Sequence, residues 1–413
     1  MAIKSGRVGV RPDQVDEYGR VVASDYLVDQ LKEVLPPSGE LVPLHVNLNG
    51  TYTPASGTGY GPVTVTVPLD VDAIASGRPR GAMTLTVEEV VPFAFYHKDI
   101  TRLTCSNATS IGERAFAYCT QLTNFTASSV TSLGDGAFSF CNRLTSAAIS
   151  ALQTMGNECF MQCSDLASVT FTHVTSIGTS AFEGCSSLSS INMPSLTSIG
   201  ANAFKGCSSL ISYSNSNVTT LNNATFYNCL GLTSVDFPNV TIIGNECFRN
   251  CSNNDLTGLI FPSVTSVGAQ IVNGCKANLV FPSLLQTVIN SFSTWKGKEV
   301  DLGVNFHKFE GFTFNGMNAN DPYDTLILRN STQVVAAQSN TGLVNAQFSA
   351  NKSGGTVYIP RVLYDHLGDG SALDYKANTV WNAMLNANPN NSFAPIEGSY
   401  YETHYADGTL INS

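Results

Sequence analysis

Charge is what this chain has least of. Only 13% of its 413 residues are Asp, Glu, Lys or Arg, against about 25% in an ordinary globular domain. The 31 acidic residues outnumber the 21 basic ones and leave a net charge of −10. No long basic run occurs, so the clustered Lys and Arg that hold a phosphate backbone are missing and nucleic acid is not an expected partner. No apolar stretch approaches the roughly 18 residues of a membrane-spanning helix. The opening Met-Ala-Ile-Lys-Ser-Gly-Arg-Val-Gly-Val is not followed by the apolar run of a signal peptide, and no C-terminal sorting or lipid-anchor motif is found. The expectation is synthesis in a cytoplasm without export by the usual route.

Catalytic signatures are missing as well. The six histidines, His45, His97, His173, His307, His366 and His404, make no metal-ligand spacing. There is no G-x-S-x-G elbow and no phosphate-binding G-x-x-x-x-G-K-[ST]. Gly57-Thr-Gly-Tyr-Gly61 is glycine-rich but precedes a strand, where a phosphate loop would precede a helix, and reads as a turn. Asp365, Asp369 and Asp374 lack the alternate-residue ligands and closing glutamate of a calcium loop and read as a solvated loop. The chain is expected to be no enzyme and to carry no cofactor and no metal.

What the chain has instead is a ruler. Cys119, Cys141, Cys163, Cys185, Cys207, Cys229 and Cys251 are 22 residues apart, and Cys275 follows after 24. Three residues before each of the first seven stands Phe116, Phe138, Phe160, Phe182, Phe204, Phe226 or Phe248. Seven residues before each cysteine except Cys229 stands a glycine, from Gly112 to Gly268. A period of this length marks a solenoid in which each unit is one coil and equivalent side chains stack. The glycine is read as backbone freedom for a sharp reversal, and Ala-Phe-x-x-Cys as one helical turn with Phe and Cys facing inward.

The cysteines do not read as disulfides. Coils about 4.8 Å apart set parallel thiols at a separation and direction that suit a disulfide poorly. They read as the small buried residue of a tight turn. The pairs Cys159/Cys163 and Cys247/Cys251 share the C-x3-C spacing, but no second pair supplies the four ligands zinc needs.

Along the chain, residues 1–40 read as an attachment segment with a short amphipathic helix over 25–35, ended by Pro36 and Pro37. Residues 41–84 read as a small β-rich module, with a strictly alternating strand from Val63 to Val67, and a linker over 69–84. The solenoid is expected over 85–320, degenerate from 285, and a mixed α/β cap over 321–413. The cap is expected to hold strands at 324–329 and 355–360 and helices at 362–367 and 377–385. The fold class is mainly β: a right-handed leucine-rich-repeat solenoid of about nine coils.

Within a coil, Leu188-Ser-Ser-Ile191-Asn-Met193 and Leu232-Thr-Ser-Val235-Asp-Phe237 have the apolar spacing of a repeat strand. Their outward residues are small and polar: Asn124 and Thr126, Ser168 and Thr170, Ser190 and Asn192, Ser212 and Ser214, Ser234 and Asp236. Two readings stay open. The row is a binding face for glycan hydroxyls, or Ser, Thr and Asn are simply soluble residues that tolerate close stacking. The lack of an aromatic residue for a sugar ring weighs toward the second. At the C-terminus, Tyr400, Tyr401, His404 and Tyr405 are the best aromatic anchors for a partner, or a plug for the last coil.

The recurring Thr-Ser-Ile-Gly-x-x-Ala-Phe-x-x-Cys-x-x-Leu-x-Ser-Val-x-Phe-Pro resembles the BspA-type leucine-rich repeat, with Gly, Phe, Cys and Leu in phase from about residue 85 to 290. That resemblance implies surface display and adhesion, because BspA-like proteins are typically secreted adhesins. The segment Asn49-Gly-Thr-Tyr-Thr-Pro54 through Val63-Thr-Val-Thr-Val-Pro68 resembles a module of phage and prophage structural proteins. The C-terminal Thr325-Leu-Ile-Leu-Arg-Asn330 and Gly355-Thr-Val-Tyr-Ile-Pro360 are similar to the ends of repeat proteins from gut bacteria and their phages. Together with the missing signal peptide, these imply a bacteriophage virion surface protein, a fibre or a capsid or tail decoration. Its expected partners are other virion proteins through the N-terminal region and a host-surface protein or glycan, with a homo-oligomer as a further expectation. A structural virion component and a BspA-like bacterial adhesin are the alternatives.

Overall fold

The computed structural model describes residues 100–310 without interruption, and beside them 51–52, 63–64, 81–85, 89–90, 92, 95–97, 325–332, 334–336, 355–371, 373–377, 391–397, 399 and 402. The expected attachment segment 1–40 lies outside the described residues. In the β-rich module, Thr51–Tyr52 pairs antiparallel with Val63–Thr64. The chain divides into two compact units, Met1–Leu196 and Thr197–Ser413. Each is built of parallel coils, and the 22-residue period runs through the sequence of both.

In the first unit each coil contributes a longer and a shorter strand. The longer strands Gly81–Leu85, Ile100–Cys105, Asn124–Ala127 and Ser146–Ile149 pair in parallel in that order, and Ser168–Thr170 pairs with Ser190–Asn192. The shorter strands Glu89–Val90, Ser110–Ile111, Ser132–Leu133, Thr154–Met155 and Ser176–Ile177 make a second parallel ladder. Gly81 to Thr84, read from the sequence as linker, already belong to the ladder. The start was hidden because residues 69–84 lack both the phenylalanine and the cysteine that mark a coil.

The Ala-Phe-x-x-Cys edge is not helical, contrary to the sequence reading. Its amides alternate in purpose. Those of Arg114, Phe116 and Tyr118 donate to the carbonyls of Asp135, Ala137 and Ser139 in the next coil, at 2.8 Å each. Those of Ala115, Ala117 and Cys119 donate three residues back, to Gly112, Arg114 and Phe116. A helix would spend every amide inside its own coil. Here half of them bind coil to coil, and the backbone alternates because Arg114 and Tyr118 take left-handed φ of 49° and 59°. Later coils repeat this at the same two positions, with Gly136 and Phe140, Glu158 and Gln162, Asn228, and Glu246 and Asn250.

The recurring glycine has a different task from the one its spacing suggested. Gly134, Gly156 and Gly178 are not among the left-handed residues. A Cβ on Gly178 would stand 2.5 Å from the carbonyl carbon and oxygen of Gly156, and one on Gly134 2.6 Å from the Glu113 nitrogen. The glycine column lets neighbouring backbones approach to parallel-strand distance.

Inside, the phenylalanines stack as expected. In the first unit Phe95, Phe116, Phe138, Phe160 and Phe182 follow one another with centroids 5.2, 5.3, 5.5 and 5.4 Å apart and planes within 12° of parallel. In the second, Phe204, Phe226 and Phe248 repeat this at 5.7 and 5.5 Å. All are fully buried except Phe95 at the end of the row. The cysteines are buried beside them, and none forms a disulfide.

Hydroxyls and amides tie the coil edges. Thr123 and Thr145 donate to the carbonyls of Thr101 and Thr123 at 2.8 and 3.0 Å, and Thr233 does the same to Ile211. The Asn157 side chain accepts the Thr179 amide at 2.8 Å, and Asn245 accepts that of Ala269. Much of the Ser, Thr and Asn content is therefore spent on holding coils together.

The expected cap is largely a continuation of the second unit's sheet. Gly258–Ile260, Asn278–Phe281, Glu299–Leu302, Thr325–Leu328, Thr356–Ile359 and Ser392–Pro395 form one parallel ladder in chain order. The excursions between strands lengthen, so that 36 residues separate the paired Thr356 and Ser392. Phe292 and Trp295 fill the phenylalanine and cysteine positions of one degenerate coil, and the buried Trp295 indole donates to the Ala277 carbonyl at 2.8 Å. The helix expected at 362–367 is a single turn, Arg361–Tyr364. Tyr375–Ala377 is a 3-10 turn, and the rest of the helix expected at 377–385 lies outside the described residues.

Two substitutions test these columns in denaturant unfolding. Phe138→Ala removes a ring that is stacked on both sides, and is expected to lower stability by about 3–5 kcal/mol; a loss below about 1 kcal/mol would show that the column does not carry the core. Gly178→Ala is expected to cost about 1–3 kcal/mol through overpacking, although alanine favours ordinary backbone angles. An unchanged or raised stability would mean that the coils are not held at the separation described.

Candidate binding face

A strand alternates its side chains, so residues flanking an inward apolar position point away from the core. In the first unit this leaves Ser168, Thr170, Ser190 and Asn192 exposed around the inward Val169 and Ile191. Ser168 lies in register with Ser190 and Thr170 with Asn192. In the second unit Ser212, Ser214, Ser234 and Asp236 are exposed in the same way, Ser212 opposite Ser234 and Ser214 opposite Asp236. The structure therefore sets Ser190 and Asn192 beside their column partners in one unit, and Ser234 and Asp236 beside theirs in the other. Asn124 donates to the Ser146 hydroxyl at 2.7 Å, and Ser214 to the Asp236 carboxylate at 3.4 Å. Tyr400, Tyr401, His404 and Tyr405 lie outside the described residues.

These outward hydroxyls differ from those of the coil edges. Thr123, Thr145, Ser189 and Thr233 are committed to carbonyls of the preceding coil. The outward strand residues sit on pleats whose backbone is already paired along the sheet, and their side chains face solvent. On the first unit's face the exposed strand residues are neutral from Thr104 through Asn192, with Arg102 at one end. Such a surface offers hydrogen-bond donors and acceptors with little net field.

Further along the second unit its own outward strand face is closed. Val280 and Ile327 occupy outward positions, yet both are fully buried and belong to an apolar cluster with Ile396, Ile260 and Tyr358. Between them in register stands Asp301, 1% exposed. Its carboxylate accepts two hydrogen bonds from the Arg329 guanidinium, from Nε to Oδ1 and from Nη2 to Oδ2, each 2.7 Å. A buried carboxylate needs such a fork to stay charged. Sequence reasoning missed this pair. The alternation Val280, Asp301, Ile327 on an outward column was the available signal, because outward residues of an open face would stay polar.

The 365–374 loop also resolves. Burial opposes ionisation of Asp374, but the amides of Gly368, Gly370 and Lys376 outweigh it and hold the carboxyl below its usual range. Asp369, bonded first to His366 and then to the Ser371 amide, is lowered to about 2. Among the described residues no cluster of three or more His, Cys, Asp or Glu is placed to hold a metal.

A second surface feature escaped the sequence reading. His97, Tyr118 and Phe140 stack at 4.6 and 4.5 Å on the turn edge of the first unit, all with φ near 60°. A left-handed non-glycine residue costs on the order of 1 kcal/mol, and each stacked pair offsets about 0.5–1.5 kcal/mol. In the second unit Tyr227 lies within 5.8 Å of the Lys205 ammonium and 5.5 Å of the Arg249 guanidinium. These positions vary between coils, so periodicity does not mark them.

Residues 88–211 and 219–325 match the BspA type leucine rich repeat region, in six copies. No curated protein sequence matches the chain. Among solved structures, a leucine-rich repeat protein of Bacteroides ovatus is 16% identical, covers 81% of this chain and 98% of its own, and has a TM-score of 0.37. A leucine-rich repeat protein of T. pallidum is 22% identical over 45% of this chain and 86% of its own, with a TM-score of 0.35. A leucine rich cell surface protein of Faecalibacterium prausnitzii is 17% identical over 85% of this chain and 96% of its own, at 0.32. The likeness of the terminal segments to phage structural proteins gains no support from these matches. More than half of the sequence falls within the matched repeats, and the chain belongs to the BspA-type leucine-rich repeat family.

Proposed function

We propose that the chain is a surface-displayed, non-catalytic binding scaffold, an adhesin, that engages a host-cell or mucosal ligand through the outward strand face. The observation that carries this is the contrast along that face. In the second unit small polar residues are exposed around Tyr213 and Val235, while further along, at Val280 and Ile327, the equivalent outward positions are apolar and sealed; the first unit by itself shows the open arrangement around Val169 and Ile191. The open strands are polar and nearly neutral, suited to a partner that brings hydroxyls or amides. Family membership supports the reading, because proteins of this kind are typically adhesive. The virion reading has no observation of the structure behind it.

The test is cosedimentation of labelled full-length protein with candidate bacterial and epithelial cells. Ser168→Arg and Ser190→Arg together place two long charged side chains on the open face without entering the core. The expected result is at least a tenfold loss of cell binding with an unchanged circular dichroism spectrum and melting curve. Binding that survives the double substitution on every cell type would move recognition away from this face.

A further inference from the structure

The cysteine column does more than fill space. The thiol of Cys119 donates to the Phe95 carbonyl at 3.1 Å, and those of Cys141, Cys163 and Cys185 donate to Phe116, Phe138 and Phe160, also at 3.1 Å. In the second unit Cys229 and Cys251 donate to Phe204 and Phe226 at 3.2 and 3.1 Å. Each bond runs from one coil to the preceding one. The Phe116 carbonyl thus accepts the Cys119 amide of its own coil and the Cys141 thiol of the next. An oxidised sulfur has no proton to give, and a sulfur carrying any adduct has no room, because none of the eleven cysteines is more than 1% exposed. Burial also raises the thiols above their ordinary range, Cys105, Cys247 and Cys275 to about 12 and Cys141, Cys163 and Cys251 well above the usual value. The thiolate that attacks a disulfide is therefore scarce in the folded state.

We infer that the thiol column is a redox gate: closed to oxidants while the coils are stacked, open when they come apart, and incompatible with the fold once the sulfurs are oxidised. In the unfolded chain a cysteine thiolate attacks one sulfur of glutathione disulfide, forming a mixed disulfide and expelling a glutathione thiolate. A second cysteine thiolate attacks the mixed disulfide and releases the other glutathione. Two cysteines lose two electrons, and one glutathione disulfide gains them. With eleven cysteines in the chain, most such pairings join coils that are not neighbours. The inference is independent of the ligand-binding proposal. Its consequence is that the chain acquires its fold with its thiols reduced, and then withstands an oxidising compartment.

Two arms test it with the full chain. Purified folded protein is exposed to glutathione disulfide and to a thiol-reactive dye across a denaturant series. The expected result is an unchanged mass in the absence of denaturant and labelling that rises with the unfolding transition. Labelling without denaturant, at the rate of a free cysteine peptide, would overturn the closed state. In the second arm the chain is made by cell-free synthesis with dithiothreitol or with glutathione disulfide, and protease resistance is read. Resistance is expected only in the reduced synthesis. An equally resistant product made with glutathione disulfide, with its cysteines shown by mass to be oxidised, would overturn the trap.

Discussion

Parallel backbone hydrogen bonding between successive coils, at the separation of about 4.8 Å that such pairing imposes, is the constraint on which the rest depends. It applies at the strands and equally at the Ala-Phe-x-x-Cys edge, where Phe116, Phe138 and Phe160 donate to Ala137, Cys159 and Ala181 of the next coil. Once every edge is fixed at that distance, each column has its residue type restricted. Glycine stands where backbones approach too closely for a Cβ. Phenylalanine stands where rings can stack at 5.2 to 5.7 Å. Cysteine stands where a small side chain must also satisfy a carbonyl of the coil before.

The same constraint accounts for the composition. A coil edge presents carbonyls and amides to its neighbour, and short hydroxyl and amide side chains reach them where long charged ones would crowd each other. Thr131, Thr241 and Asn245 are spent in this way. The low charge is thus a consequence of stacking. What remains for function is the set of positions stacking does not use: the outward strand face of each unit, open at Ser168 and Ser190 in the first, and in the second open at Ser212 and Ser234 and closed at Val280 and Ile327.

Much of the fold was legible in the sequence because a solenoid writes its period directly. Gly112, Phe116 and Cys119 recur in phase, and the inward columns follow from them. Three things were not legible. Half of the turn amides serve the next coil, so a spacing that suits a helix gave alternating turns instead, with Tyr118 and Phe140 in left-handed conformation. The glycine spacing could not separate a demand for unusual backbone angles from a demand for close approach. The C-terminal strands keep pairing while their spacing stretches, so the segment after 320 read as a separate α/β cap, although Thr325–Leu328 and Thr356–Ile359 extend the sheet. Of the candidate site, exposure and register of Ser190, Asn192, Ser234 and Asp236 followed from alternation alone. The closure at Asp301 did not, because it depends on Arg329, 28 residues away.

The central claim is that the turn edge is bonded coil to coil as firmly as the strands. Residue-resolved amide hydrogen exchange on the native protein tests it most directly. The account predicts that the amides of Phe116, Phe138 and Phe160 exchange as slowly as that of Val169, with protection repeating at the coil period along the edge. Fast exchange along the turn edge, with protection confined to the strands, would contradict it.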